Sequence, residues 1–321
     1  MRRNIFIAIG LALIVLILVF LIKDFFLKEK GSSENPHEYN LEKIRKGDSL
    51  TVAFKEIKRF TPALEEIYGL TVDPSDRIFV CGKGGVEIYD NSGKRESQFT
   101  VDGTARCIAV DANGKIYLGM EDHVEIFTPD YKKHAIWKPE SSESVLTSIA
   151  VAQNNVFVAD AGEKIVYRYD LKGNLLNKIG AKDPQNNIPG FFIPSGYFDL
   201  AFDPSGRLWI VDPGHHTLNQ FSVEGELLSS WGESSMSVEG FCGCCNPSHI
   251  AFLPDGSFLT SEKSIERIKI YDTAGVYQNL VATPESFEEG TRGLDLAIDS
   301  QERILVLDPV KKQVRFFVKK I

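Results

Sequence analysis

From about residue 68 onward, short apolar runs alternate with polar turns, and the runs come in a set order that occurs six times. A first strand of the type Leu-x-Val/Phe-Asp begins at Leu70, Ile108, Ile149, Leu200, Ile250 and Leu296, at intervals of 38, 41, 51, 50 and 46 residues. A second strand is β-branched and aromatic, as at Ile78-Phe79-Val80, Ile116-Tyr117-Leu118, Leu208-Trp209-Ile210 and Ile304-Leu305-Val306. The third carries Val86, Val124, Val166, Leu218, Ile268 or Val314, and three positions later Tyr89, Phe127, Tyr169, Phe221, Tyr271 or Phe317. Four residues further on stand Gly93, Gly173, Gly225 and Gly275, with Tyr131 in the second unit. Glycine suits a turn that needs a positive φ angle. Strand-only units repeating every ~40–50 residues are propeller blades. The pattern predicts an all-β, six-bladed β-propeller over 49–321. Its last unit supplies three strands, so an exposed edge would remain. The strand-like segment 50–59 is expected to pair there and close the ring.

Two stretches carry a family resemblance. Residues 199–212 read Asp-Leu-Ala-Phe-Asp-Pro-Ser-Gly-Arg-Leu-Trp-Ile-Val-Asp, and 249–256 read His-Ile-Ala-Phe-Leu-Pro-Asp-Gly. Both resemble NHL repeats, in which Gly-Ile-Ala-Val-Asp precedes Gly-x-Ile-Tyr-Val-Ala-Asp. The resemblance runs from about Tyr68 to the C-terminus and implies a six-bladed ring that often serves as an interaction platform. The chain departs from the family pattern before the Ile-Ala strand. The usual glycine survives only as Gly69, and Cys107, Ser148, Asp199, His249 and Asp295 hold the other positions. Related six-bladed propellers include metal-dependent lactonases and an amidating lyase. The lactonase ligands do not map here, because Tyr68, Arg106, Thr147, Phe198, Ser248 and Leu294 stand where a Glu and an Asn or Asp would be needed.

Ahead of the ring, residues 5–22 are 18 consecutive apolar or glycine residues behind Met1-Arg2-Arg3-Asn4. That length spans a bilayer core, and no small-x-small cleavage site follows. Residues 1–30 therefore read as an uncleaved signal-anchor transmembrane helix and 31–48 as a polar tether. The charges flanking the apolar run are nearly balanced. Arg2 and Arg3 on a short stub favour a cytoplasmic N-terminus, which places the propeller on the extracytoplasmic side of the cytoplasmic membrane.

Charge narrows the range of partners. The chain has 36 Lys and Arg against 44 Asp and Glu, and the first 30 residues hold five basic and two acidic residues. The remainder carries 31 basic against 42 acidic residues, a net of −11. An acidic domain without a basic cluster is a poor match for phosphate backbones, so no nucleic acid is expected.

Of five cysteines, three lie in Cys242-Gly243-Cys244-Cys245, followed closely by His249. Three chemistries are open to this loop. A disulfide could staple it, and adjacent cysteines would be strained while the C-x-x-C pair Cys242 and Cys245 would not. Thiolates with His249 could hold a transition metal such as zinc, copper or iron. A strained bridge is more reducible, so the loop could also serve redox or electron transfer. Cys81 aligns with buried second-strand positions and reads as a small hydrophobe. Cys107, at the start of an inner strand, reads as axial packing or as a distant partner for the odd thiol of the loop.

If the ring closes, Cys107, Ser148, Asp199, His249 and Asp295 converge on the axis, with Arg106 and Arg292 nearby. Convergent polar groups at a channel mouth make a ligand site, or else the carboxylates pair with the arginines and turn amides. His215 and His216, in the turn after a second strand, matter if that turn folds toward the cysteine loop. Two long connections, 180–198 and 232–249, each carry Gly-Phe and are expected to form an aromatic rim. The reading that follows is a membrane-anchored binding or scaffold module. It would present the channel mouth and these loops to a partner protein or small ligand. The alternative is a metal- or thiol-dependent enzyme or electron-transfer component built on the cysteine loop.

Overall fold

The structure is a computed structural model that describes residues 52–320, except 139, 140, 184, 186–188 and 244. The expected anchor 1–30, the tether 31–48 and Cys244 lie outside the described residues. Among those described, no helix is long and apolar enough to cross a membrane.

Six antiparallel sheets surround a common axis. β1 (Phe54–Phe60) leads into blade one, formed by β2 (Ile67–Val72), β3 (Ile78–Tyr89) and β4 (Arg95–Thr104). Blade two holds β5 (Cys107–Val110), β6 (Ile116–Gly119), β7 (Val124–Phe127) and β8 (Lys133–Trp137). Blade three holds β9 (Leu146–Ala152), β10 (Asn155–Asp160), β11 (Ile165–Asp170) and β12 (Leu175–Ile179). Blade four holds β13 (Leu200–Phe202), β14 (Leu208–Asp212), β15 (Thr217–Phe221) and β16 (Leu227–Trp231). Blade five holds β17 (His249–Phe252), β18 (Phe258–Ser261), β19 (Ile268–Tyr271) and β20 (Tyr277–Ala282). Blade six is β21 (Leu296–Ile298), β22 (Ile304–Asp308) and β23 (Gln313–Lys319), with β1 paired antiparallel on β23. The first strands of successive blades touch in ring order, and blade six returns to blade one.

The second strands read as continuous apolar runs because both of their faces are covered. In β22, Ile304 and Val306 pack toward blade five, while Leu305 and Leu307 pack toward blade one. Six apolar clusters result, one at each junction between neighbouring blades. The aspartates that punctuate the repeat lock its turns. Oδ1 of Asp73, Asp203 and Asp299 accepts backbone N–H groups two and four residues on. Each of these carboxylates also pairs with an arginine, Arg77, Arg207 or Arg303.

The turn glycines answer to packing as well as to conformation. Gly275 has φ +81°, and a Cβ there would lie 2.7 Å from the Trp231 ring of the preceding blade. Tyr131 adopts the same region at φ 63° without being glycine. Its ring stacks on Phe99 of the preceding blade, with centroids 5.5 Å apart and planes at 9°. Stacking offsets part of the ~1–2 kcal/mol that a left-handed L-residue costs.

Candidate functional site

One position at or near the start of each first strand lies by the axis, and the six differ by half-ring. Blades one to three contribute Gly69, Cys107 and Ser148; blades four to six contribute Asp199, His249 and Asp295. Gly69 is required by close approach, since a Cβ would lie 2.8 Å from Cys81 Sγ and 3.1 Å from Cys107 Cα. In the polar half, the Nδ1 of His249 lies 3.5 Å from Asp199 Oδ2 and 3.6 Å from Asp295 Oδ1. One potential ligand atom from each residue falls within a 4.8 Å group, the only such cluster of His, Cys, Asp and Glu among the described residues.

Backbone amides hold both carboxylates in place. Asp199 Oδ1 accepts from its neighbour Leu200 N–H (2.9 Å) and Oδ2 from Ile250 N–H in the next blade (2.9 Å). Asp295 repeats the arrangement, with Leu296 N–H (2.8 Å) and Leu70 N–H in blade one (2.7 Å). Ser148 Oγ accepts more weakly from Leu200 N–H at 3.3 Å. These side chains therefore stitch one blade to the next as well as lining the axis.

Burial, countered by the charge on His249 and reinforced by Asp199, pushes the Asp295 carboxyl up to about 6. Burial alone would lower the His249 imidazole, but its contact with Asp199 and the charges of both carboxylates raise it overall. The Cys107 thiol is raised well above its ordinary value by burial, with Cys81 and the two carboxylates adding to the effect. It is a packed, neutral group.

Two cavities meet at His249. Below it, the channel of about 340 Å³ runs between the first strands and is lined by residues such as Leu70, Cys107, Ser148, Asp199 and Asp295. Above it, a basin of about 690 Å³ opens where the first strands begin, walled by Tyr68, Arg106, Ser144, Tyr197 and Arg292. Two residues that line the basin each hold a buried side-chain atom without a hydrogen-bond partner, His249 Nε2 and Ser144 Oγ. The Tyr197 ring lies edge-on to the imidazole, with centroids 6.0 Å apart. Burial raises its phenol against the opposing charges of Arg292 and Arg106.

The arginines do not neutralise the axial carboxylates. Arg106 turns outward to Glu121 (3.0 Å) and lies over the Tyr68 ring at 4.6 Å. Arg292 is exposed and makes no hydrogen bond or ion pair among the described residues.

The cysteine loop is a separate place. Cys81, Cys107, Cys242 and Cys245 are not bridged, so the disulfide reading of the loop is not realised among the described residues. The thiols of the loop face different neighbours. Cys242 Sγ lies 3.5 Å from Met236 Sδ, and Cys245 Sγ accepts from Ser195 Oγ at 3.5 Å. His249 turns its ring to the axial carboxylates, so the thiolate-plus-histidine metal set is not assembled from the described residues. The 212–216 turn does fold toward this loop, because His216 Nδ1 lies 3.2 Å from the Asn246 carbonyl oxygen. His215 instead holds Asp212 at 2.8 Å, and burial raises the Asp212 carboxyl. The expected aromatic rim is reduced to Phe192, 52% exposed, since Phe191 and Phe241 are core residues. The 180–198 connection brings Gly196 and Tyr197 to the basin, and the 232–249 connection brings His249.

A buried charge group beneath the cysteine loop was not singled out by sequence. Glu262, Arg267 and Lys269 are at most 2% exposed. Arg267 pairs with Glu262, whose Oε1 also lies 3.4 Å from Lys269 Nζ. Lys269 donates to the carbonyls of Gly240 (2.6 Å) and Val238 (3.1 Å) and lies over the rings of Phe241 and Tyr271.

Comparison with solved structures places this ring among the six-bladed β-propellers. A streptogramin B lyase aligns with a TM-score of 0.57 at 11% identity, over 83% of this chain and 98% of the lyase. A selenomethionine-substituted virginiamycin B lyase from Staphylococcus aureus aligns at 0.56 and 11% identity, over 84% of this chain and 100% of its own. A catalytically inactive histidine-to-alanine form of that enzyme with quinupristin aligns at 0.55, with the same identity and coverage. No family model matches the chain. No curated protein matches it either, so the NHL assignment stays a resemblance of motifs.

Proposed function

We propose that this propeller is a binding module that takes up a small carboxylate-bearing molecule at the mouth of its central channel. One observation carries the reading. His249 is buried at the floor of the basin with Nε2 unpartnered, and a buried donor or acceptor left without a partner costs about 1–3 kcal/mol. Such a group is retained where a ligand or water completes it. The unpaired Arg292 guanidinium at the rim supplies a fork suited to a carboxylate. Tyr68 and Tyr197 supply flat apolar walls, and Ser144 a further polar contact. Basin volume and mixed lining fit a small molecule. The apolar run 5–22 supports a setting at the membrane, and Arg2 and Arg3 ahead of it support a propeller outside the cytoplasm. The structural neighbours are named as lyases, which leaves room for chemistry on the same fold, but at this identity none of their residues carries over.

The test is calorimetric titration of the full-length protein with a panel of short dicarboxylates and their methyl esters. The acids are expected to bind one per chain and the esters not at all. Arg292→Ala and Ser144→Ala are each expected to weaken binding, the first by about tenfold, the scale of one charge-assisted hydrogen bond. Absence of acid binding across the panel, or equal binding of acids and esters, would sink the reading.

A further inference from the structure

We infer that the axis of the ring holds a divalent first-row transition cation, ligated by one carboxylate oxygen each from Asp199 and Asp295 and by Nδ1 of His249. The geometry is close to complete without any ion. Separations of 3.5 and 3.6 Å from Nδ1 to the two oxygens, within a group 4.8 Å across, let one ion touch all three atoms. The contacts would lie at the ~2.0–2.2 Å usual for histidine and carboxylate ligands, after shifts of a few tenths of an ångström. The donors are also held in place beforehand. Each of the four carboxylate oxygens accepts a backbone N–H and keeps a second lone pair directed elsewhere.

The imidazole supplies the second, independent sign. A ligating histidine carries its remaining proton on the other ring nitrogen, where a further group receives it. His249 Nε2 is that nitrogen. It is buried, has no protein partner, and belongs to a residue shared by the channel and the basin. Two carboxylates and a neutral imidazole carry a charge of minus two, which a divalent ion cancels. The mixed nitrogen and oxygen donors suit zinc, manganese, iron or cobalt better than calcium, which takes six to eight oxygens. Three protein ligands leave positions open to water or to a ligand's own oxygen.

This inference shares His249 with the proposed function but does not need the basin to be filled. Full-length protein, treated with chelator and returned to chelator-free buffer, is titrated with Zn²⁺ by calorimetry and with Co²⁺ by absorption. One ion per chain is expected, with visible cobalt bands and no thiolate charge-transfer band in the near ultraviolet. Asp295→Asn and His249→Gln should each weaken binding by at least about tenfold. Cys242→Ala should leave it unchanged. Absence of saturable binding, a strong thiolate band, or full affinity in His249→Gln overturns the proposal. Should the Asp295 variant fail to fold, the cobalt spectrum of the unaltered protein and His249→Gln decide. Cation binding without carboxylate binding would refute the basin reading and leave this one standing; the reverse result would do the opposite.

Discussion

In blade five, Glu262, Arg267 and Lys269 bury two cations around one anion beneath a loop; on the axis, Asp199, His249 and Asp295 bury two anions around one histidine between two cavities. The first group is fully buried, whereas in the second the Asp295 side chain keeps 20% of its exposure, and the two are balanced differently. In blade five, every charged side chain has its partners inside the protein, down to the two loop carbonyls that accept from Lys269. On the axis, the carboxylates are anchored by amides, one imidazole serves both, and its far nitrogen is left over. A sealed and matched group is a fastener. A group with a surplus carboxylate and an unpaired nitrogen, on residues that border cavities, is a place prepared for something else.

The sharpest way to break this comparison is to remove one charge from each group. Glu262→Ala leaves Arg267 and Lys269 buried without a counter-ion, which should cost about 3–5 kcal/mol. Denaturant unfolding reads this directly, and a loss below about 1 kcal/mol would mean that water reaches the cluster and that it is not sealed. The second-largest effect is a pH dependence confined to blade five. Burial, resisted by Glu262 and assisted by Arg267, lowers the Lys269 ammonium from 10.5 to about 8. In that interval the unfolded chain binds the proton and the folded chain does not, so stability should rise as pH climbs from about 8 to 10.5, by up to ~3 kcal/mol. Below the lower value both states are protonated and the contribution is flat. Lys269→Met should abolish the rise; if the slope persists in that variant, another group is its source.

At the axis the expected stability change is smaller. His249→Gln keeps a polar side chain of similar reach, and the carboxylates retain their amide donors and their access to the cavities. A loss of about 1 kcal/mol is expected, well below that of Glu262→Ala. Equal losses at the two sites would make the axial set a second fastener and remove the reason to look for its ligand.

The two groups also differed in how far the sequence disclosed them. The axial residues stand at one position of a repeat, ahead of Leu200, Ile250 and Leu296, and a closed ring must bring such positions together. Their convergence was therefore readable. The direction of Arg106 was not, because its pairing with Glu121 and stacking on Tyr68 depend on where the neighbouring turn lies. The blade-five group was hidden by alternation. Ile268-Lys269-Ile270 reads as a strand with its lysine turned to water, yet Lys269 is fully buried. The 232–249 connection folds back over the strand and meets the ammonium with the carbonyls of Val238 and Gly240. Its length was visible in the sequence, but its path was not. The cysteines drew attention for their spacing, while packing sends Cys242 to Met236 and Cys245 to Ser195.

The smallest expected effect separates function from fold most cleanly. Arg106 sits at the rim, its side chain 39% exposed and paired with a Glu121 side chain that is 67% exposed. Such a pair contributes about 0–1 kcal/mol, because solvent screens it and ordering two long side chains costs entropy. Its position over Tyr68 adds a cation–π contact of about 0.5–1 kcal/mol at an exposed site. Arg106→Ala should therefore shift the unfolding midpoint little. If the basin receives carboxylates, the same substitution should still weaken their binding, because it removes one of the cations lining the wall and frees Glu121 to repel the ligand. Calorimetry and denaturant unfolding on this one variant test both halves. A large stability loss with unchanged binding would move Arg106 to the side of the fasteners, and with it the argument that this rim is kept for a ligand.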